Sequence, residues 1–149
     1  MPIFAGQQHT ESLVSELRVD EFPCSAVGGD GVGCIVKNKE DWNSGNCLFS
    51  TAGTSEDLGK CADGTRLGIG MIKINGKMHK LKQKQCAPSH GGQVTYSGDD
   101  IRVLYSYKEI NSPEPRGEEQ EVAFYDASIT ISLGSKSRTL PKLKAACGD

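Results

Sequence analysis

The chain has 149 residues and a formal net charge of −2, with 36% hydrophobic residues, few aromatics and 18 glycines. That length suits a single domain, whose folding buries roughly 68–70% of the unfolded surface and so supports a core. The modest apolar content favours many turns and short elements over long packed helices, and no apolar run approaches the roughly 18 residues of a membrane-spanning helix.

Residues 1–22 are polar. Leu13, Val14 and Leu17 suit a short helix, whereas Leu13, Leu17 and Val19 also suit alternation, so a loose arm or one short N-terminal helix is expected before a domain spanning 23–149. Residues 28–33, Gly-Gly-Asp-Gly-Val-Gly, form a turn or loop. They lack the G-x-G-x-x-G spacing and no helical pattern follows, which argues against phosphate binding.

From Cys34 onward the pattern is β. Cys34–Lys37 and Cys47–Thr51 are short apolar runs bounded by Gly, Asn and Asp. Leu67–Ile74 leads into Asn75-Gly76, a strong hairpin signal. A two-residue turn would pair Ile72 with His79. A longer turn with a glycine bulge would pair Ile74 with Met78 and gather Ile72, Ile74 and Met78 on one face, so the longer turn is preferred. Gln93–Ser97 is followed by a Gly98-Asp99-Asp100 turn. Ile101, Val103, Tyr105 and Tyr107 then alternate with Arg102, Leu104, Ser106 and Lys108. Pro113, Pro115 and Gly117 lie in an acidic loop with Glu114, Glu118, Glu119 and Glu121. Ala127, Ile129, Ile131 and Leu133 form the clearest half-buried strand, and Gly134-Ser135 turns it into Lys136–Leu140. The fold class expected is all-β, an antiparallel sandwich or small barrel of about seven to eight strands, because a sheet with one apolar face must cover it.

Six cysteines (Cys24, Cys34, Cys47, Cys61, Cys86, Cys147) are separated by 9, 12, 13, 24 and 60 residues. No zinc-ligand or C-x-x-C spacing occurs, so no metal site and no redox pair is expected. An even number spread through glycine-rich sequence favours three structural disulfides, each stabilising by about 2–4 kcal/mol. Fifteen connectivities remain open. Local pairing (Cys24–Cys34, Cys47–Cys61, with Cys86–Cys147 closing the C-terminal half) is the working expectation. Disulfides imply an exported chain, periplasmic or secreted, with a signal peptide removed; a cytoplasmic chain with six reduced thiols is the alternative.

The small net charge hides an asymmetry. Residues 1–60 carry four Lys/Arg against nine Asp/Glu, and residues 61–149 carry thirteen against ten. Lys73, Lys77, Lys80, Lys82 and Lys84 crowd the predicted hairpin, and a second basic cluster follows at Lys136, Arg138, Lys142 and Lys144. Single-strand nucleic-acid binders interleave stacking aromatics with such lysines, but none occurs between Phe49 and Tyr96, so nucleic acid is not the expected partner. A polyanion or an acidic protein fits the lysines equally well.

Catalytic chemistry finds little purchase. Of the three histidines, His9 lies in the arm, His79 in the hairpin and His90 beside Ser89. Sequence neighbours such as Ser89 and His90 make a poor nucleophile and base. Cys86 near His79 or His90 would imitate a thiol–imidazole pair only if unbridged. The carboxylate pairs Asp99-Asp100 and Glu118-Glu119 fall in turns or loops, where solvated acids are ordinary. No cofactor motif is present. The loop Cys86–Gly92 is different: Pro, two Gly and small polar residues project between strands, and a stiffened loop of that kind can enter a partner's cleft at reduced entropic cost. Trp42, the only tryptophan, is either a binding anchor or a core plug.

The layout of Ile74-Asn75-Gly76-Lys77 between strands, then Tyr125-x-Ala127-x-Ile129-x-Ile131 and a terminal Cys147-Gly148, resembles small exported bacterial β-domains. Periplasmic lysozyme inhibitors and secretion-system immunity proteins are of that kind. The likeness covers roughly residues 67–148, and the serine-rich inhibitory signature of the lysozyme inhibitors is absent, so no family residue is carried over. It implies a non-enzymatic binding protein whose partner is a cell-wall-degrading enzyme or a toxin. The contact residues expected are Ser89, His90, Trp42, Lys80 and Lys82. The alternatives are a secreted hydrolase using Cys86 or a carboxylate pair, and a polyanion-binding surface module.

Overall fold

A computed structural model describes residues 17–24, 33–110 and 122–148. Its strands are β1 (Val19–Asp20), β2 (Phe22–Pro23), β3 (Gly33–Asn38), β4 (Asn46–Cys47), β5 (Phe49–Ala52), β6 (Ile69–Ile74), β7 (Lys77–Gln83), β8 (Gly91–Gly98), β9 (Ile101–Glu109), β10 (Val122–Leu133) and β11 (Lys136–Gly148). Eight of them, β3, β5, β6, β7, β8, β9, β10 and β11, follow one another as an antiparallel meander that closes into a barrel when β11 pairs with β3. The all-β barrel is thus the member of the expected pair that forms. Closure leaves no long sheet edge, which is how an up-and-down barrel escapes edge-to-edge association.

Alternation along each strand builds the core. Ile101, Val103 and Tyr105 on β9 point inward, and so do Ala127, Ile129 and Ile131 on β10; all are buried. Opposite them Phe49, Ile72, Leu81 and Val94 are almost wholly shielded. Burying each such side chain contributes about 1.5–3 kcal/mol.

Three features depart from the sequence-based expectation. The Asn75-Gly76 hairpin takes the two-residue turn, pairing Ile72 with His79 and Ile74 with Lys77. Both turn residues have positive φ (49° and 83°), as a type I′ turn requires, and its twist matches that of the flanking strands. Met78 therefore lies opposite Lys73, not on the face of Ile72 and Ile74. Second, β11 continues through Pro141 to Gly148. Its register with β10 shifts by one residue between Ile129↔Leu140 and Ala127↔Leu143, a bulge on β11 that accommodates a proline lacking an N–H. Third, within the expected arm Leu17 and Phe22 are buried, and Val19–Asp20 adds to β6. The arm's residues 1–16, the Gly-rich residues 28–32 and the acidic loop 111–121 lie outside the described residues.

The disulfides are Cys24–Cys47, Cys34–Cys147 and Cys61–Cys86. Six bridged cysteines agree with the expectation, but none of the three local pairings forms. Neighbourhood in a closed meander is set by strand order, so Cys34 near the start of β3 faces Cys147 near the end of β11.

Candidate functional site

The two ends of the barrel differ. At one end the tight turns at Asn75-Gly76, Asp99-Asp100 and Gly134-Ser135 gather, and Leu17 enters the core with Arg138 donating to its carbonyl at 3.2 Å. At the other end, where β5, β7, β9 and β11 finish, a cavity of about 660 Å³ opens. Its size falls in the range of small-molecule pockets, and barrel mouths are among the places where those occur.

One wall of the cavity is aromatic. Tyr105 and Tyr107 on β9, Tyr125 on β10 and Tyr96 on β8 all line it. The rings continue one another from the core outward. Phe49 meets Tyr96 edge-on with centroids 5.3 Å apart and Tyr105 at 5.7 Å; Tyr105 stacks on Tyr107 at 5.0 Å; Tyr107 meets Tyr125 edge-on at 5.5 Å. These are the offset and T-shaped geometries that ring quadrupoles favour. Burial pushes the phenol pKa of all four tyrosines upward, reinforced by neighbouring phenols at Tyr96, Tyr105 and Tyr107 and by the Glu109 carboxylate at Tyr125, so each stays neutral at ordinary pH. The hydroxyl of Tyr107 donates to the Pro88 carbonyl. That of Tyr105 is buried without a partner among the described residues.

The rim is stiff. Cys34–Cys147 and Cys61–Cys86 both line the cavity. The second ties the connection between β5 and β6 to the loop between β7 and β8. That first segment is held by Cys61 N–H donating to Thr65 O at 2.7 Å and by Asp63 accepting from Thr65 N–H at 2.9 Å. The Thr65 hydrogen bonds also hold the Asp63 carboxyl below its usual range. The second segment is pinned by Gln85, whose side chain accepts from Thr95 N–H and whose carbonyl accepts from Gln83 Nε2. Among the described lining residues the charged ones are Asp63 and Arg66, both exposed on the rim segment.

The residues expected to bind a partner do not converge. Ser89 and His90 are exposed in the rim loop, with His90 at a positive φ of 68° and its Nδ1 2.5 Å from Glu109 Oε1. Lys80 and Lys82 face outward on β7, and Lys80 lies 3.9 Å from Glu56. Trp42 sits on the opposite outer wall, half-buried beside β3, β11 and β10. There Lys37 and Lys144 stand directly across from each other, and the Trp42 ring lies 5.1 and 4.9 Å from their ammonium groups. Facing cations repel, and the ring's negative face offsets this. Lys37 also donates to the carbonyls of Trp42 and Ser44, at 3.1 and 2.5 Å. Trp42 therefore pins the 39–46 loop to the outside of the barrel.

Cys86 has no thiol to act as a nucleophile, being bridged to Cys61. Asp99 and Asp100 form the β8–β9 turn, where Asp99 meets His79 at 3.1 Å; the second pair, Glu118-Glu119, lies outside the described residues. Among the described residues no group of three or more His, Cys, Asp or Glu is placed to hold a metal ion, and no helix is long and apolar enough to cross a membrane. The sequence reading missed the tyrosines as a site. Its one available signal was the placement of phenols at successive inward positions near strand ends, where a polar tip reaches the mouth. No family model, curated protein or solved structure matches this chain.

Proposed function

We propose that the chain is a non-enzymatic binding protein of an oxidising compartment, secreted or periplasmic, and that its site is the mouth of the barrel, which takes a small apolar molecule. The observation that supports this is the cavity of about 660 Å³, walled by tyrosine rings and rimmed by two disulfides. Concave, mostly apolar and preformed sites of this size are what small ligands use. The three disulfides favour the compartment.

The test is a titration with N-phenyl-1-naphthylamine, a neutral fluorophore that brightens in apolar surroundings. One saturable site per chain is expected, lost in Ala123→Trp, because Ala123 lines the cavity and a large ring there fills it. Absence of saturable binding, or unchanged binding by a folded Ala123→Trp, would overturn the assignment.

A second reading keeps the exposed loop as the working part: Ser89 and His90 enter the cleft of a cell-wall-degrading enzyme or a toxin, as in an inhibitor or immunity protein. The tethering of that loop by Cys61–Cys86 favours it, since a stiffened loop loses less entropy on binding. It predicts that the protein slows a lysozyme's turnover and that Ser89→Arg with His90→Gly abolishes the effect. No slowing at high micromolar protein would count against lysozyme as the target.

A further inference from the structure

Resting on the small-ligand reading of the barrel mouth, we infer that the cavity selects a flat, uncharged aromatic molecule bearing an oxygen acceptor, with the Tyr105 hydroxyl donating to that oxygen. Tyr105 is 3% exposed and lines the cavity, and its hydroxyl is a buried polar group with no partner among the described residues. Such a group is costly to leave unmade, so a ligand that supplies an acceptor recovers what the empty protein forgoes.

The rest of the wall narrows the ligand class. Around Tyr105 stand Val94, Tyr96, Tyr107 and Tyr125, none of them charged at neutral pH. An ionised group pushed to that depth would be desolvated with no countercharge among the described lining residues, because Asp63 and Arg66 remain out at the rim. The part of a ligand that reaches Tyr105 is therefore neutral. The preference for a ring follows from the run Phe49–Tyr105–Tyr107–Tyr125, whose centroids are spaced 5.0–5.7 Å apart. One more ring extends this array with the same stacked or edge-on contacts. The Tyr105 hydroxyl is closed off from solvent, so a side chain of the wall has to shift before the ligand's oxygen reaches it.

The experiment compares 2-acetylnaphthalene with 2-isopropenylnaphthalene, in which a methylene of nearly the same shape replaces the carbonyl oxygen, by titration calorimetry on the intact, disulfide-bonded protein. The acetyl compound is expected to bind about three- to tenfold tighter, the gain of one neutral hydrogen bond. Tyr105→Phe should erase that preference, so that the two compounds bind the variant alike. Equal binding of the two by the wild type, or a preference that survives Tyr105→Phe, overturns the role of Tyr105 and leaves the apolar cavity standing. Failure of both naphthalenes to bind overturns the small-ligand reading itself, and this inference with it.

Discussion

Tyr105 and Tyr107 stand two residues apart on one face of β9, yet their hydroxyls meet opposite fates. The Tyr107 hydroxyl donates to the Pro88 carbonyl, while that of Tyr105 is buried with no partner among the described residues. A net hydrogen bond is worth about 0.5–1.5 kcal/mol, and a buried unsatisfied polar group costs about 1–3 kcal/mol. Tyr107→Phe should therefore lower the stability of the ligand-free protein by about 1 kcal/mol, whereas Tyr105→Phe should leave it unchanged or raise it. Urea midpoints of the two variants decide this; a larger loss from Tyr105→Phe than from Tyr107→Phe would show that its hydroxyl is satisfied after all. Alternation in the sequence already placed both rings inward. What it could not carry is the difference between them, because the Pro88 carbonyl reaches Tyr107 only through the loop that Cys61–Cys86 and Gln85 position. In the same way Trp42 read as a core plug or a binding anchor, and its outer-wall position depends on Lys37 and Lys144 becoming neighbours across β3 and β11.

Strand β6 shows how one element is fitted to those around it. Gly70 leaves room for Phe49: a Cβ there would lie 2.8 and 2.9 Å from atoms of the Phe49 ring and 3.0 Å from Tyr96. Gly70→Ala should cost about 1–3 kcal/mol by overpacking, and less in a Phe49→Leu background, since the two positions share one space. Equal costs in both backgrounds, measured by denaturant unfolding, would remove Phe49 as the cause. The tip of the β6–β7 hairpin is clamped by β1. Arg18 N–H donates to Asn75 Oδ1 and Gly76 N–H donates to Asp20 Oδ2, at 2.9 and 2.6 Å. The Arg18 side-chain hydrogen bond, aided by Gly76 and the charges of Arg18 and Lys73, holds the Asp20 carboxyl below its ordinary range although burial opposes it. A depressed folded pKa contributes stability that is fully present above the unfolded value of about 4 and is lost as pH falls through the folded value. Asp20→Asn should thus flatten the decline in stability below about pH 4; parallel pH profiles for the two proteins would exclude the clamp. The strands themselves were legible because Ile101–Tyr107 and Ala127–Leu133 alternate cleanly. The hairpin register was not, since Met78 suits either face by hydrophobicity and the choice falls to the twist of the Asn75-Gly76 turn.

At the scale of the molecule, closure decides what individual residues cannot. The last strand returns to β3, and Cys34–Cys147 staples that seam across 113 residues, against 23 and 25 for the other two bridges. Pairing cysteines by sequence proximity fails in such a topology because the nearest cysteine in space lies at the far end of the chain. If each disulfide acts by restricting the unfolded chain, the seam bridge is worth about 5 kcal/mol and the others about 3.5 kcal/mol. Alkylation of the unreduced, denatured protein should then add no mass, and a Cys34→Ser, Cys147→Ser variant should lose more stability than a Cys24→Ser, Cys47→Ser variant. The position of the bridges adds a second consequence. Cys34 and Cys147 belong to the cavity wall, whereas Cys47 on β4 and Cys24, the residue after β2, do not line it. Under conditions where both variants are folded, removing the seam bridge should weaken binding of N-phenyl-1-naphthylamine and removing the β2–β4 bridge should leave it unchanged. If both variants bind the probe as the wild type does, the mouth owes its shape to strand pairing alone. If both weaken equally, the probe is reporting global loosening and not the tyrosine-walled site.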